Sequence, residues 1–133
     1  MLYTPINSKA TPSSTPLLEV RSFSYEERPM ILAALAQQMA TCGCWLLERR
    51  TVSLSQIEYR FELQLRSIFD LYSGLIAAGL ELTKGSHLDL TSLCTLCKHN
   101  PTPAELGRIV TVRLELSFLI EFEPVCGPVP AYA

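Results

Sequence analysis

The chain is poor in glycine, with only six, and none of them falls in a phosphate-cradling loop. It contains no Gly-x-Ser-x-Gly and no His-Glu-x-x-His, so two common hydrolase arrangements are missing. No apolar run comes near the ~20 residues that a membrane-spanning helix needs. Neither sign of charge dominates: 11 basic residues stand against 13 acidic ones, for a formal net charge of -2. The charges are interspersed, as on a solvated surface, and give no strong field for nucleic acid or anionic lipid. Residues 1–16 lack the apolar core of a signal peptide. The five cysteines are an odd number at spacings that match no disulfide framework. A reducing compartment, and hence the cytoplasm, fits them better. The expectation is a protein without nucleic-acid or membrane partners.

What the chain does have is enough apolar material for a core. Its 133 residues are 48% apolar, which suits one domain that folds alone. Residues 1–16 are polar and rich in Pro, Ser and Thr, and read as a disordered arm. Residues 124–133 carry Pro124, Pro128, Pro130 and Gly127 and read as an irregular tail. The folded body is expected over residues 17–123.

Within that body, hydrophobic periodicity sets the order of elements. Residues 17–25 read as a strand, with Leu18 and Val20 on one face and Glu19 and Arg21 on the other. Two signals mark the next helix start: Pro29 in a first turn, and Ser24-Tyr25-Glu26-Glu27 as a capping box one turn earlier. Ile31, Leu32, Leu35, Ala36 and Met39 form the helix stripe, and Gly43 ends it. Trp45–Ser53 reads as a second strand, and Leu54-Ser55-Gln56 as a turn. Ile57, Tyr59, Phe61, Leu63 and Leu65 then alternate with Glu58, Arg60, Glu62 and Gln64, a strand with one buried face. Ser67 is placed to cap a second helix along Ile68, Leu71, Tyr72, Leu75 and Ile76, ending near Gly79.

Residues 80–99 fit two patterns. Leu88, Leu90, Cys94 and Leu96 suit a strand, while Leu90, Leu93, Cys94 and Cys97 suit a helix. The strand is preferred because it completes a split βαβ pair. Thr102-Pro103-Ala104-Glu105 is a capping box with one short helical turn behind it. Residues 109–121 alternate as a long strand. The expected fold is α+β: a ferredoxin-like sandwich, with an antiparallel four- to five-stranded sheet and two helices on one face. The long last strand is expected at an exposed sheet edge, where it would invite pairing.

Glu27-Arg28-Pro29-Met30 and the Ala/Leu-rich helix behind it, followed by Gly43 and the strand at Trp45, resemble the opening of ACT domains of the Asp-Arg-Pro-Gly type. The resemblance covers residues 17–82. It implies a ferredoxin-like regulatory module that pairs through sheets or helices and binds an amino acid or other small metabolite. Tyr25, Glu27, Arg28, Met30 and Trp45 are the ligand-binding candidates on this reading. One position departs from the family. Met30 stands where those domains have Gly and the backbone passes close to the ligand. A side chain there obstructs a site of that type, so fold and pairing carry over more readily than ligand binding.

Other candidates for chemistry have bland explanations. Cys94-x-x-Cys97 with His99 resembles part of a zinc set that His87 or Cys42-x-Cys44 would complete, but Cys42-x-Cys44 has a poor spacing, and Cys94 reads as a core residue. No cofactor or metal is expected. Glu58, Glu62 and Glu115 alternate with Arg60 and Arg113, as cross-strand ion pairs do. RNA-binding modules on related sheets expose aromatic residues, whereas Tyr59 and Phe61 share the apolar face here. Trp45 and Tyr25 are first read as core residues. The leading expectation is a non-enzymatic, homodimeric, ACT-like module with a possible small-molecule ligand. The alternatives are a small enzyme with a site in an inter-subunit cleft, and a purely structural interaction protein.

Overall fold

A computed structural model describes residues 17–119. The arm over residues 1–16 and the tail over residues 124–133 lie outside it, as does the end of the predicted last strand. We label the elements β1 (Leu17–Ser24), α1 (Arg28–Thr41), β2 (Trp45–Ser53), β3 (Gln56–Gln64), α2 (Ile68–Ala77), β4 (Glu81–Leu82), α3 (Lys84–Cys97), α4 (Pro103–Leu106) and β5 (Ile109–Phe118). A 3-10 turn at Leu65–Ser67 joins β3 to α2. The fold is α+β.

The helix boundaries follow from local chemistry. Pro29 sits in the first turn of α1, and Glu27 is its N-cap, without a side-chain cap bond. The Ser24 capping box does not form. Ser24 Oγ instead accepts from Glu26 N–H at 3.0 Å, a short turn that uses up the hydroxyl before the helix starts. Both α1 and α2 end in the same way. Gly43 (φ 72) and Gly79 (φ 100) take left-handed backbone. Cys44 N–H then donates to Met39 C=O and Leu80 N–H to Leu75 C=O, at 3.0 and 3.2 Å, closing each helix with a Schellman motif. Ser67 stands at the N-cap of α2 but makes no side-chain cap bond. The Thr102 capping box forms completely, with both reciprocal bonds present.

Residues 84–97 are a helix, which corrects the strand preferred from the sequence. Thr83 caps it, its Oγ1 accepting from Ser86 N–H at 3.2 Å. Ser86 and Leu90 are buried, and Leu93, Cys94 and Cys97 are half-buried on the same stripe. The fourth strand is instead the two-residue β4, which was not read at all.

The sheet is mixed, not antiparallel, with strand order β2-β3-β5-β1-β4. β5 pairs antiparallel with β3 and parallel with β1. It therefore lies at the centre, which overturns the expectation of an exposed edge. Its alternation is so regular because helices cover one face along its whole length: Val110, Val112, Leu114, Leu116 and Phe118 are at most 1% exposed. These residues join Ile31 and Leu35 of α1, Ile68, Leu71 and Leu75 of α2, Leu90 of α3, and Ile57, Phe61 and Leu63 of β3 in one core. Two polar side chains on that face are satisfied. Ser22 Oγ donates to Glu115 C=O at 2.8 Å, and Ser86 Oγ accepts from Arg21 N–H at 2.8 Å.

Candidate functional site

The edge strand β2 is the structural exception. All nine of its residues are exposed, although its partner β3 alternates between buried and half-exposed positions. The ladder skips Leu47 and Val52, two β-bulges that leave these apolar side chains outside the regular pairing. Trp45, Leu46, Leu47 and Val52 are about half exposed, and Leu54 at the hairpin tip is 83% exposed. These exposed apolar residues are grouped on one strand and its turn rather than scattered.

On the helix side, β2 extends past α1 and leaves a pocket of about 290 Å³. Leu32, Ala36 and Met39 of α1 form one wall, and Leu46 the other. Two polar groups reach it. Arg49 stands opposite Tyr59 in the β2–β3 register, and both line the pocket. Tyr59 is 6% exposed, and its hydroxyl has no hydrogen-bond partner among the described residues. Burial pushes its pKa up, while the charges of Arg49 and Arg28 pull it back down. Arg49 makes no ion pair or hydrogen bond among the described residues. Cys44 also borders the pocket, and its thiol is pushed up to about 12, first by burial and then by Cys42. Burial thus disfavours its thiolate, the nucleophilic form.

The candidates drawn from the ACT resemblance fall into two places. Tyr25, Glu27, Arg28 and Met30 follow β1 at one end of the sheet. Arg28 is engaged there: its guanidinium donates to Leu54 C=O at 2.8 Å and lies over the Phe118 ring at 4.9 Å. Trp45 begins β2 at the opposite end, in the row that runs through Glu62 and Thr111 to Leu17. About seven residues of strand, roughly 23 Å at ~3.3 Å per residue, separate it from Ser24. Tyr25 is 54% exposed and Trp45 53%, which corrects the reading of both as core. Aromatic size suggested burial, but both sit where no helix lies above them.

The open sheet face carries a closed charge network. The strand register sets Glu48, Arg60, Arg113 and Glu19 in one row, and Arg50, Glu58, Glu115 and Arg21 in the next. The inner pairs oppose like charges, and a diagonal bond relieves them: Arg113 Nε lies 3.3 Å from Glu58 Oε2. Arg50 also pairs with Glu58, Arg60 with Glu48 at 3.2 Å, and Arg113 with Glu19 at 2.5 Å. Each exposed pair contributes about 0.2–1 kcal/mol. The cleft of about 240 Å³ among these residues holds charges that already satisfy one another.

Among the described residues the cysteines and histidines do not converge. No group of three His, Cys, Asp or Glu that could hold a metal ion occurs among the described residues. Cys94 and Cys97 lie on α3 with pKa values raised chiefly by burial, and Cys97 Sγ donates to Leu65 C=O at 3.4 Å. His87 Nδ1 and Tyr72 hydroxyl share a 2.6 Å hydrogen bond that ties α3 to α2. No helix among the described residues is long and apolar enough to cross a membrane. No family model matches the chain, and no curated protein or solved structure matches it.

The sequence reading missed Arg49, Tyr59 and the overhang of β2. One signal was available. Residues 45–53 have no clean period of two, unlike β3 and β5, as expected of a bulged strand with neither face fully covered.

Proposed function

We propose that the chain is a non-enzymatic, self-associating module of the ferredoxin-like, ACT-like kind that senses an amino acid or other small metabolite. The observation that carries the reading is the uncovered apolar edge at β2. The topology supports it. With β5 set aside, the other strands run β4-β1-β3-β2, and β1-α1-β2 interleaves with β3-α2-β4. We read this as a split βαβ arrangement with β5 inserted between β1 and β3.

The occupant of the β2 edge on this reading is a second copy of the chain. A two-fold axis centred on Arg49 would set Glu48 opposite Arg50 of the second copy, twice, and Leu46 opposite Val52. The apolar and charged positions of β2 are thus self-complementary, as an isologous interface requires. Arg49 itself would face its own copy, at a cost that solvent screens. The two bulges shorten the regular ladder to residues 48–51, so side chains carry more of the contact than backbone bonds do.

A thermal-shift panel of amino acids and other small metabolites tests the sensing half of this reading. A concentration-dependent rise in melting temperature for one class supports it. No shift for any of them would leave a purely structural interaction protein.

A further inference from the structure

We infer that the pocket between α1 and β2 binds a small carboxylate with an apolar body and no amino group. The inference rests on the reading of the chain as a metabolite-sensing module, and it names the ligand class. Three features of the pocket specify that class.

The first is the wall. Leu32, Ala36, Met39 and Leu46 offer an apolar surface to a ligand's hydrocarbon part. The volume of about 290 Å³ lies at the low end for small-molecule sites and suits one ring or a short chain. The second is the pair of polar groups. Arg49 is a cation with no partner among the described residues, and Tyr59 is a buried hydroxyl with none. They sit opposite each other on adjacent strands. A carboxylate can accept from the guanidinium through one oxygen and from the phenol through the other, which satisfies both donors at once. A buried hydroxyl left without a partner is unfavourable, so a ligand that accepts from it is favoured. The third feature is what the wall lacks. Among the described residues no Asp or Glu lines the pocket, so none of them pairs an ammonium group there. A zwitterionic amino acid would leave its amine desolvated without a counter-charge, and the pocket disfavours it. Met30, in the first turn of α1, is not among the residues that line the pocket, so it does not obstruct the site.

Three probes of one shape test this: 3-phenylpropanoate, phenylalanine and 3-phenylpropan-1-ol, titrated calorimetrically into the full chain. The proposal predicts saturable binding of 3-phenylpropanoate, and binding weaker by about tenfold or more for the alcohol, which lacks the charge-assisted hydrogen bonds. Phenylalanine binds more weakly than 3-phenylpropanoate as well. Arg49→Gln weakens 3-phenylpropanoate by about tenfold or more and removes its preference over the alcohol. Tyr59→Phe, which retains the ring, weakens it by about three- to tenfold. Circular dichroism confirms that both variants are folded. Absence of saturable 3-phenylpropanoate binding overturns the proposal, as does binding that Arg49→Gln leaves unchanged. Equal affinity for phenylalanine overturns the exclusion of amines. The chain mass is read separately. A monomer that binds 3-phenylpropanoate through Arg49 keeps the pocket and loses the association, and a dimer that binds none of the probes does the reverse.

Discussion

Arg49 and Tyr59 face each other across the β2–β3 ladder, on the side of the sheet that carries the helices. Tyr59 is buried under α1, while Arg49, one strand further out, is exposed. The helical layer ends between them. That boundary creates both the pocket and the uncovered strand, and the functional reading depends on it.

The Tyr59 hydroxyl has no partner among the described residues, with a consequence for stability. Tyr59→Phe removes no hydrogen bond made among the described residues and relieves a buried donor. We expect stability to be unchanged or up to about 1 kcal/mol higher, from urea denaturation. A loss above about 1 kcal/mol would show that the hydroxyl is bonded within the protein.

The thiols predict a pH dependence. Cys44 is raised from an ordinary 9.0 to about 12, mainly by burial, and Cys42, Cys94 and Cys97 are raised in the same direction. Ionising such a thiol costs the folded chain more than the unfolded one. The stability these groups contribute is therefore complete below pH about 9, where unfolded thiols begin to ionise, and is lost as pH climbs toward about 12. The denaturation midpoint should be flat near neutral pH and fall in alkali, less steeply in Cys44→Ala. Iodoacetamide should alkylate native Cys44 far more slowly than the unfolded chain at neutral pH. Rapid alkylation of native Cys44 would contradict this.

Helix ends give a third prediction. Gly79 holds φ 100, and an added Cβ would find room, its nearest neighbour being Ile31 Cδ1 at 3.5 Å. The cost of Gly79→Ala is therefore backbone strain alone, about 1–2 kcal/mol. At the other end of the next connection, Thr83→Ala removes the cap of α3 and should cost about 1 kcal/mol. Chemical denaturation measures both. A neutral Thr83→Ala would mean that packing along Leu90 and Cys94, not the cap, fixes the helix.

Thr83 also shows where the fold was legible in the sequence and where it was not. Helices α1 and α2 and strands β1 and β3 could be read because their apolar spacing, Pro29, Gly43 and Gly79 agreed, whereas β2 was placed by Gly43 before it and the turn at Leu54 after it. Residues 84–97 offered two apolar spacings, and the Thr83–Ser86 cap that separates them was overlooked. The alternation of Val110 through Phe118 identified β5, but alternation carries no information on strand direction or neighbours. Its central, parallel place beside β1 depends on how α3 crosses the sheet, a tertiary matter. The site was less legible than the fold. Arg49 and Tyr59 are ten residues apart on different strands, and only the register brings them together. Whether α1 reaches over β2 cannot be seen in either segment alone.

Proposed self-association through the β2 edge is tested most directly by the mass of the full chain in solution. Sedimentation equilibrium at micromolar concentration should give twice the 14.8 kDa chain mass. The double variant Leu47→Glu with Val52→Glu places charge on both bulges outside the pocket. It should return the mass to 14.8 kDa and leave chemical stability within about 0.5 kcal/mol per site, as exposed positions do. A mass of 14.8 kDa for the unaltered chain across a wide concentration range would contradict the account.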